Sequence, residues 1–277
     1  MRADEPMPLL EVRGLAKRFG GIVAVRDVDL TVPQGRVHAI IGPNGAGKTT
    51  VFNCIAAFLP PSAGVIRIDG ARIDGLPAHR VAAHGVARTY QNVRLFPNMT
   101  ALETVLVGRH RRLRSAFWEA VLGTPRFRRE EAEARDRARA LLDFVGIGHR
   151  AGTLARHLPY GDQRRLEIAR ALATEPRILM LDEPAAGMNP AEGQALVRLI
   201  DRIRHELGVT VLLIEHHMRV VMAIAERITV FEQGRVLTEG TPAEVQADER
   251  VITAYLGRRP APAEPRPAPL RQEVSVA

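Results

Sequence analysis

Residues 42–50 read Gly42-Pro43-Asn44-Gly45-Ala46-Gly47-Lys48-Thr49-Thr50, which fits the spacing G-x-x-x-x-G-K-[ST]. Glycines at these positions let backbone N–H groups wrap the α- and β-phosphates of a nucleotide. Lysine puts a point charge between the β- and γ-oxygens, and the Thr49 hydroxyl is offered to Mg2+. Of 39 lysine and arginine residues, only Lys17 and Lys48 are lysine. A chain that uses arginine almost everywhere keeps a compact ammonium where a planar guanidinium is too wide for the slot. A second cluster, Ile178-Leu179-Met180-Leu181-Asp182-Glu183, supplies what a phosphate cradle alone lacks. Four apolar residues bury a strand, and Asp182 emerges at its C-terminal end, where ligands of α/β sheets collect. A carboxylate there can hold Mg2+ through its water shell, and Glu183 is placed to polarise an attacking water as general base.

These residues need elements to position them. Val28, Leu30 and Val32 alternate with Asp29 and Thr31 as a half-buried strand, and Pro33-Gln34-Gly35 turns the chain. Val37 to Ile41 predicts a short apolar strand running into the glycine loop, and Thr49 to Leu59 a helix stopped by Pro60-Pro61. Strand, glycine loop, helix is the order that a phosphate loop requires. Val65 to Asp69 is a further strand closed by Gly70.

After about residue 95 the composition changes. Ala101 to Arg112 and Arg126 to Phe144 read as helices, the second a solvated charged one with pairs Glu131/Arg135 and Glu133/Arg137. No strand is expected before residue 157. The α/β rhythm then resumes with Ile178 to Asp182, a helix over Glu192 to Leu207 burying Leu196, Leu199, Ile200, Ile203 and Leu207, and a strand over Val209 to Glu215. Ile228 to Phe231 and Arg235 to Thr238 flank Gln233-Gly234 as a hairpin, and Thr241-Pro242-Ala243-Glu244 opens a helix as a capping box. From Arg258 onward the Pro/Ala/Arg-rich tail is expected to be disordered.

Size allows one large α/β domain or a core with an inserted subdomain. There is no run of eighteen apolar residues and no signal-like N-terminus, so the sequence reads as a soluble, cytoplasmic chain. Cys54 is the only cysteine, which rules out an internal disulfide and reads as a buried structural thiol. Net charge is +8, compatible with an anionic partner, yet only 4% of residues are aromatic, which leaves little for stacking nucleic-acid bases.

Upstream of the Asp182 strand stands Leu158-Pro159-Tyr160-Gly161-Asp162-Gln163-Arg164-Arg165-Leu166-Glu167, a glycine turn opening a helix whose N-terminal amides could hold an anion. At this point the chain resembles the ATP-binding cassette (ABC) transporter ATPases over residues 9–256, with this run as their signature motif. The resemblance implies an α/β P-loop core with a small antiparallel β subdomain and an inserted α-helical subdomain. It divides the chain into a core over 8–92 and 158–257, a helical subdomain over 93–157 and a tail over 258–277. It implies that Phe19 stacks on adenine, that Gln91 contacts Mg2+ and the attacking water, and that His216 contacts the γ-phosphate, so that Lys48, Gln91, Glu183 and His216 form the catalytic set. Thr49, Gln91 and Asp182 would serve the metal, and Tyr160, Gly161 and Asp162 a nucleotide held by a partner. His217 lacks such support and reads as incidental.

Two departures from the family pattern matter. The consensus signature is Leu-Ser-Gly-Gly-Gln; Pro159 here offers neither hydroxyl nor N–H, and Asp162 would repel phosphate if it pointed inward. Asn189 stands before Pro190 where the family usually carries aspartate.

Strings such as Tyr160-Gly161-Asp162-Gln163, Pro184-Ala185-Ala186-Gly187-Met188-Asn189-Pro190 and Val251-Ile252-Thr253-Ala254-Tyr255-Leu256-Gly257 are similar to the larger ATPase subunit of bacterial branched-chain amino acid importers. That resemblance implies ATP and Mg2+ as cofactors and a peripheral place on the cytoplasmic face of the inner membrane. The partners it implies are membrane permease subunits, a second ATPase subunit and, indirectly, a periplasmic binding protein. The permease groove is expected near Gln91 to Met99, with contributions from Leu95 and Phe96. A lipopolysaccharide-export or urea-import ATPase would share every catalytic motif. A DNA-associated ABC ATPase would need a long coiled coil for which residues 93–157 leave no room, and a free-standing P-loop kinase or GTPase would lack the signature run.

Overall fold

The computed structural model describes residues 8–91, 94–112 and 117–256. Two sheets carry the fold. The first is antiparallel, in the order β2-β1-β4-β5, from β1 (Pro8–Phe19), β2 (Ile22–Pro33), β4 (Ala63–Ile68) and β5 (Ala71–Arg72). The second runs β10-β9-β3-β8-β7-β6, from β3 (Val37–Ile41), β6 (Val86–Arg88), β7 (Ile178–Asp182), β8 (Thr210–Ile214), β9 (Arg227–Glu232) and β10 (Arg235–Gly240). All its pairings are parallel except β9 with β10.

Every residue of β3, β7 and β8 is buried, as expected for strands covered on both faces. Alternation sorts them. Ala39, Ile41, Leu179, Leu181, Val211 and Leu213 pack with the helices that follow residue 100, while Ile40, Met180, Leu212, Ile214 and Phe231 pack against α1 (Lys48–Ile55) and the antiparallel sheet. Between β5 and β6 lies α2 (Ala78–Ala83). Helices α3 (Ala101–Arg109), α4 (Phe117–Leu122) and α5 (Pro125–Phe144) come next, and α6 (Tyr160–Leu172) leads back to the sheet. Helices α7 (Pro190–Leu207) and α8 (Met218–Ile224) flank β8, and α9 (Pro242–Ala247) and α10 (Glu249–Leu256) close the described chain. The α/β class with an antiparallel β layer is as the sequence indicated.

Details differ from the sequence reading, each for a local reason. Helix α1 ends at Ile55, before the prolines, because Ala57 turns left-handed (φ +56°) and the N–H groups of Phe58 and Leu59 both return to the Asn53 carbonyl. Leu207 is 43% exposed, the last residue of α7 before Gly208 closes the helix on the Ile203 carbonyl. Arg135 pairs with Glu131 as expected, but Arg137 reaches out of α5 to Glu175 instead of Glu133. Asn189 caps α7 through a reciprocal box with Glu192, a task asparagine performs as well as aspartate. Cys54 is buried and free. Residues 92–93 of the expected permease groove, Gly257 and the 258–277 tail lie outside the described residues.

Candidate active site

The parallel strands end at one level. Ile40 lies opposite Ile214, and Ile214 opposite Asp182. The segments that follow β3, β7, β8 and β6 therefore meet along one edge of the sheet, the position where open α/β sheets hold ligands.

The loop from Gly42 to Gly47 follows β3 directly. A Cβ on Gly42 would sit 2.2 Å from the Phe231 carbonyl, and one on Gly47 would sit 2.7 Å from that of Ala24, with both φ angles positive. Those glycines are required by space as well as by backbone conformation. Gly47 also caps α1 without any side-chain bond, so the first N–H groups of that helix face the loop. Ala46 accepts from the Gly234 N–H in the β9–β10 turn, which fixes the loop from its far side. Lys48 is 5% exposed and its Nζ donates to the carbonyls of Gly42 (2.7 Å) and Pro43 (2.9 Å). Burial pulls its pKa below the usual lysine value, while the carboxylates of Glu183 and Asp182 push the other way and favour the ammonium.

Glu183 stands between two of the expected catalytic residues. Its Oε2 accepts from Gln91 Nε2 at 2.9 Å and its Oε1 meets His216 Nε2 at 2.7 Å. Three segments distant in sequence thus converge on one carboxylate. Glu183 adopts φ +49°, a costly conformation for a residue with a side chain, and its N–H is held by the Ile214 carbonyl at 2.9 Å. Asp182 is buried beside it. One oxygen takes Arg88 Nη2 at 2.8 Å, and the other, Oδ1, has no hydrogen-bond partner. Burial raises the Asp182 pKa, and the arginine opposes that rise. Thr49, Gln91 and Asp182, the three expected metal contacts, line one cavity of about 320 Å³.

The sequence pattern of the ABC transporter family matches residues 25–186. The chain is an ABC transporter ATPase. A second pattern, that of the branched-chain amino acid ATP-binding cassette transporter, matches residues 235–261. The chain is 54% identical to the high-affinity branched-chain amino acid transport ATP-binding protein BraF of Pseudomonas aeruginosa over 90% of its length and 98% of that protein. Identity to LivG of Escherichia coli, with the same description, is 49% at the same coverage. Among solved structures, the ADP conformation of the ATP-binding cassette MJ1267 superposes with a TM-score of 0.79 at 29% identity, covering 91% of this chain and 99% of that one. A dimeric post-hydrolysis state of the cassette MJ0796 bound to ADP and Pi gives 0.72 at 27%, covering 84% and 98%.

In this ABC ATPase the remaining expected residues fall into two groups. Phe19 ends β1 with 45% of its surface exposed, its ring capped by Lys17 Nζ at 5.1 Å from the centroid. The β1–β2 hairpin flanks the glycine loop through Ala24 and Val25. Tyr160, Gly161 and Asp162 open α6 with no side-chain cap at Pro159, leaving first-turn amides unbonded within the helix. Asp162 pairs sideways with Arg150 at 2.9 Å, so its charge is answered and need not oppose a phosphate.

Four residues around this candidate site were not singled out by the sequence. Arg88 holds Asp182. Arg164 on α6 grips the carbonyls of Tyr90 (2.7 Å) and Gln91, and Glu167 accepts the Tyr90 N–H at 3.2 Å, so α6 carries the Gln91 segment. Glu215, fully buried, accepts from the N–H groups of Ala185 (2.7 Å), His216 (3.0 Å) and His217 (3.2 Å), locking the loops after β7 and β8 together. His217, expected to be incidental, places its Nδ1 3.2 Å from the same Glu215 carboxylate. A glutamate closing the run Val209 to Ile214 was the one local signal available for any of the four.

Proposed function

We propose that the chain is the ATP-hydrolysing subunit of a bacterial importer for branched-chain amino acids. The observation that carries the hydrolytic part is Glu183 bracketed by Gln91 and His216 at hydrogen-bonding distance. A carboxylate so held can accept a proton from a water aligned by the Gln91 amide, while His216 fixes the position of the carboxylate and answers charge developing on the γ-phosphate. Lys48 and the amides of 42–50 hold the phosphates, and Phe19 offers a face for the adenine ring.

The donors around the cavity suit Mg2+. They are oxygens: the Thr49 hydroxyl, the Gln91 amide oxygen and the unpartnered Asp182 Oδ1. A single carboxylate with a hydroxyl and an amide oxygen leaves the rest of an octahedral Mg2+ shell to water and substrate phosphates. Bound there, Mg2+ would neutralise charge on the β- and γ-phosphates.

Half of the hydrolytic site comes from a second ATPase subunit. The unbonded amides at Tyr160 to Asp162 serve a nucleotide held by that partner, as the partner's equivalent helix serves the one on Lys48. A cavity of about 550 Å³, lined by Phe58, Tyr90, Leu95, Phe96 and Val107 among others, receives a cytoplasmic helix of a membrane permease. Among the described residues no helix is long and apolar enough to cross a membrane. Through that permease the chain works from the cytoplasmic face, and a periplasmic binding protein brings the substrate. The division into core (8–92, 158–257) and helical subdomain (93–157) follows the same reading.

The substrate assignment rests on likeness to BraF and LivG and on the match at residues 235–261. Deleting the gene in its own organism should abolish high-affinity uptake of radiolabelled leucine, isoleucine and valine while sparing urea uptake and lipopolysaccharide export. Loss of either of those with branched-chain uptake intact would overturn it.

A further inference from the structure

Arg88, the last residue of β6, carries a buried guanidinium bonded to two parts of the site at once. Its Nη2 donates to Asp182 Oδ2 at 2.8 Å and its Nη1 to Asn53 Oδ1 at 2.6 Å. Asn53 lies on α1 one turn beyond Thr49, so the same side chain ties the end of β7 to the helix that presents the hydroxyl. The guanidinium is packed among three rings, those of Phe52 (5.7 Å), Phe58 (5.5 Å) and Tyr90 (5.6 Å).

An ion pair this buried is poor value as a source of stability, because both charges are stripped of water. Its geometry has a consequence that stability does not explain. The Asp182 carboxylate has two oxygens, and Arg88 occupies one. The other is buried, has no partner and belongs to the residue that shares a cavity with Thr49. Holding Oδ2 on a rigid fork sets the rotation of the carboxylate and with it the direction of Oδ1. A lysine could not do the same, since its single ammonium lacks two divergent in-plane donors.

We propose that Arg88 is a positioning residue for the divalent cation: it fixes Asp182 so that Oδ1 faces the cation shell, and through Asn53 it registers that carboxylate against Thr49. The proposal rests on the reading of Asp182 and Thr49 as the cation-binding pair. Outer-sphere partners of this kind change metal affinity by about 10- to 100-fold when removed.

The test uses Mn2+ as the probe, titrated by electron paramagnetic resonance against the full chain saturated with a non-hydrolysable ATP analogue. Arg88→Met should raise the Mn2+ concentration at half-saturation by about tenfold or more, and Arg88→Lys by less. Affinity for the analogue in excess EDTA should stay at the wild-type value in both. An unchanged or lower half-saturation in Arg88→Met, with Asp182→Asn raising it, would overturn the proposal and leave Arg88 a core ion pair or a competitor of the cation. No effect of Asp182→Asn would instead remove the cation reading beneath it. Should Arg88→Met fail to fold, Arg88→Lys decides: a raised half-saturation supports the proposal, and an unchanged or lower one, with Asp182→Asn raising it, overturns it.

Discussion

His38 offers a quantitative test of the sheet that carries the phosphate loop. It is the second residue of β3, fully buried, with Nε2 2.7 Å from Thr229 Oγ1. The Thr229 hydroxyl donates to Glu239 Oε2 at 3.1 Å, so Nε2 must be the protonated nitrogen that donates to Oγ1. Nδ1 has no partner. Adding a proton there would place a charge and an unsatisfied N–H inside the sheet. Burial accordingly lowers the pKa from 6.5 to about 4, with Glu239 opposing the shift and Arg227 adding to it.

The sign follows from which state takes the proton first. Above pH 6.5 the ring is neutral folded or unfolded, and its contribution to stability is fully present. As pH falls, the unfolded chain gains the proton near 6.5 and the native state only near 4, so stability is lost across that window. The full difference amounts to about 3 kcal/mol, of which about 2 kcal/mol disappears between pH 7 and pH 5. The perturbation is His38→Gln, whose amide can still donate to Thr229 but does not titrate. Urea unfolding at pH 7 and pH 5 should show the wild-type loss of stability exceeding that of the variant by about 2 kcal/mol. Equal losses in the two proteins, or a native-state ring titrating near its ordinary value by NMR, would refute the reasoning.

Three further outcomes follow from contacts within the site. Lys48→Arg keeps the charge but cannot fit an ammonium-sized slot between the Gly42 and Pro43 carbonyls, so ATP affinity measured by calorimetry should fall; unaltered binding contradicts the slot-width reasoning. Glu215→Gln turns one acceptor into a donor facing backbone N–H groups. It should cost about 1–3 kcal/mol of stability and slow turnover while ATP binding persists, as judged by urea unfolding and a phosphate-release assay. Asn189→Ala removes the cap of α7 and should cost about 1 kcal/mol, whereas Asn189→Asp should be close to neutral in the same unfolding assay.

What the sequence disclosed was whatever is written in consecutive residues. Strands β3, β7 and β8 are mostly apolar runs, and the glycine loop and the Asp182-Glu183 pair follow β3 and close β7. Strand β1 went unread because its twelve residues carry several register irregularities against β2, which break the alternation on which such a reading depends. Strand β6 has only three residues, too few to show a period. Glu183 could be named from the apolar run it follows, and Gln91 and His216 through family resemblance, but their convergence on one carboxylate depends on strand order, not on spacing. Arg88 and Arg164 were illegible for the same reason: their partners lie across the sheet and across α6, and an arginine in an arginine-rich chain carries no signal of its own. Asn189 looked like a departure from pattern until the helix it caps was visible.

The central claim is that Glu183, held by Gln91 and His216, is the base that activates water at a phosphate site built around Lys48. The most direct measurement is ATP turnover and ATP binding of Glu183→Gln, made on the same preparation. Removing a general base should lower turnover by at least about a hundredfold, with ATP binding retained and the ATP-bound pair of subunits accumulating. Turnover within a few-fold of wild type would contradict the account.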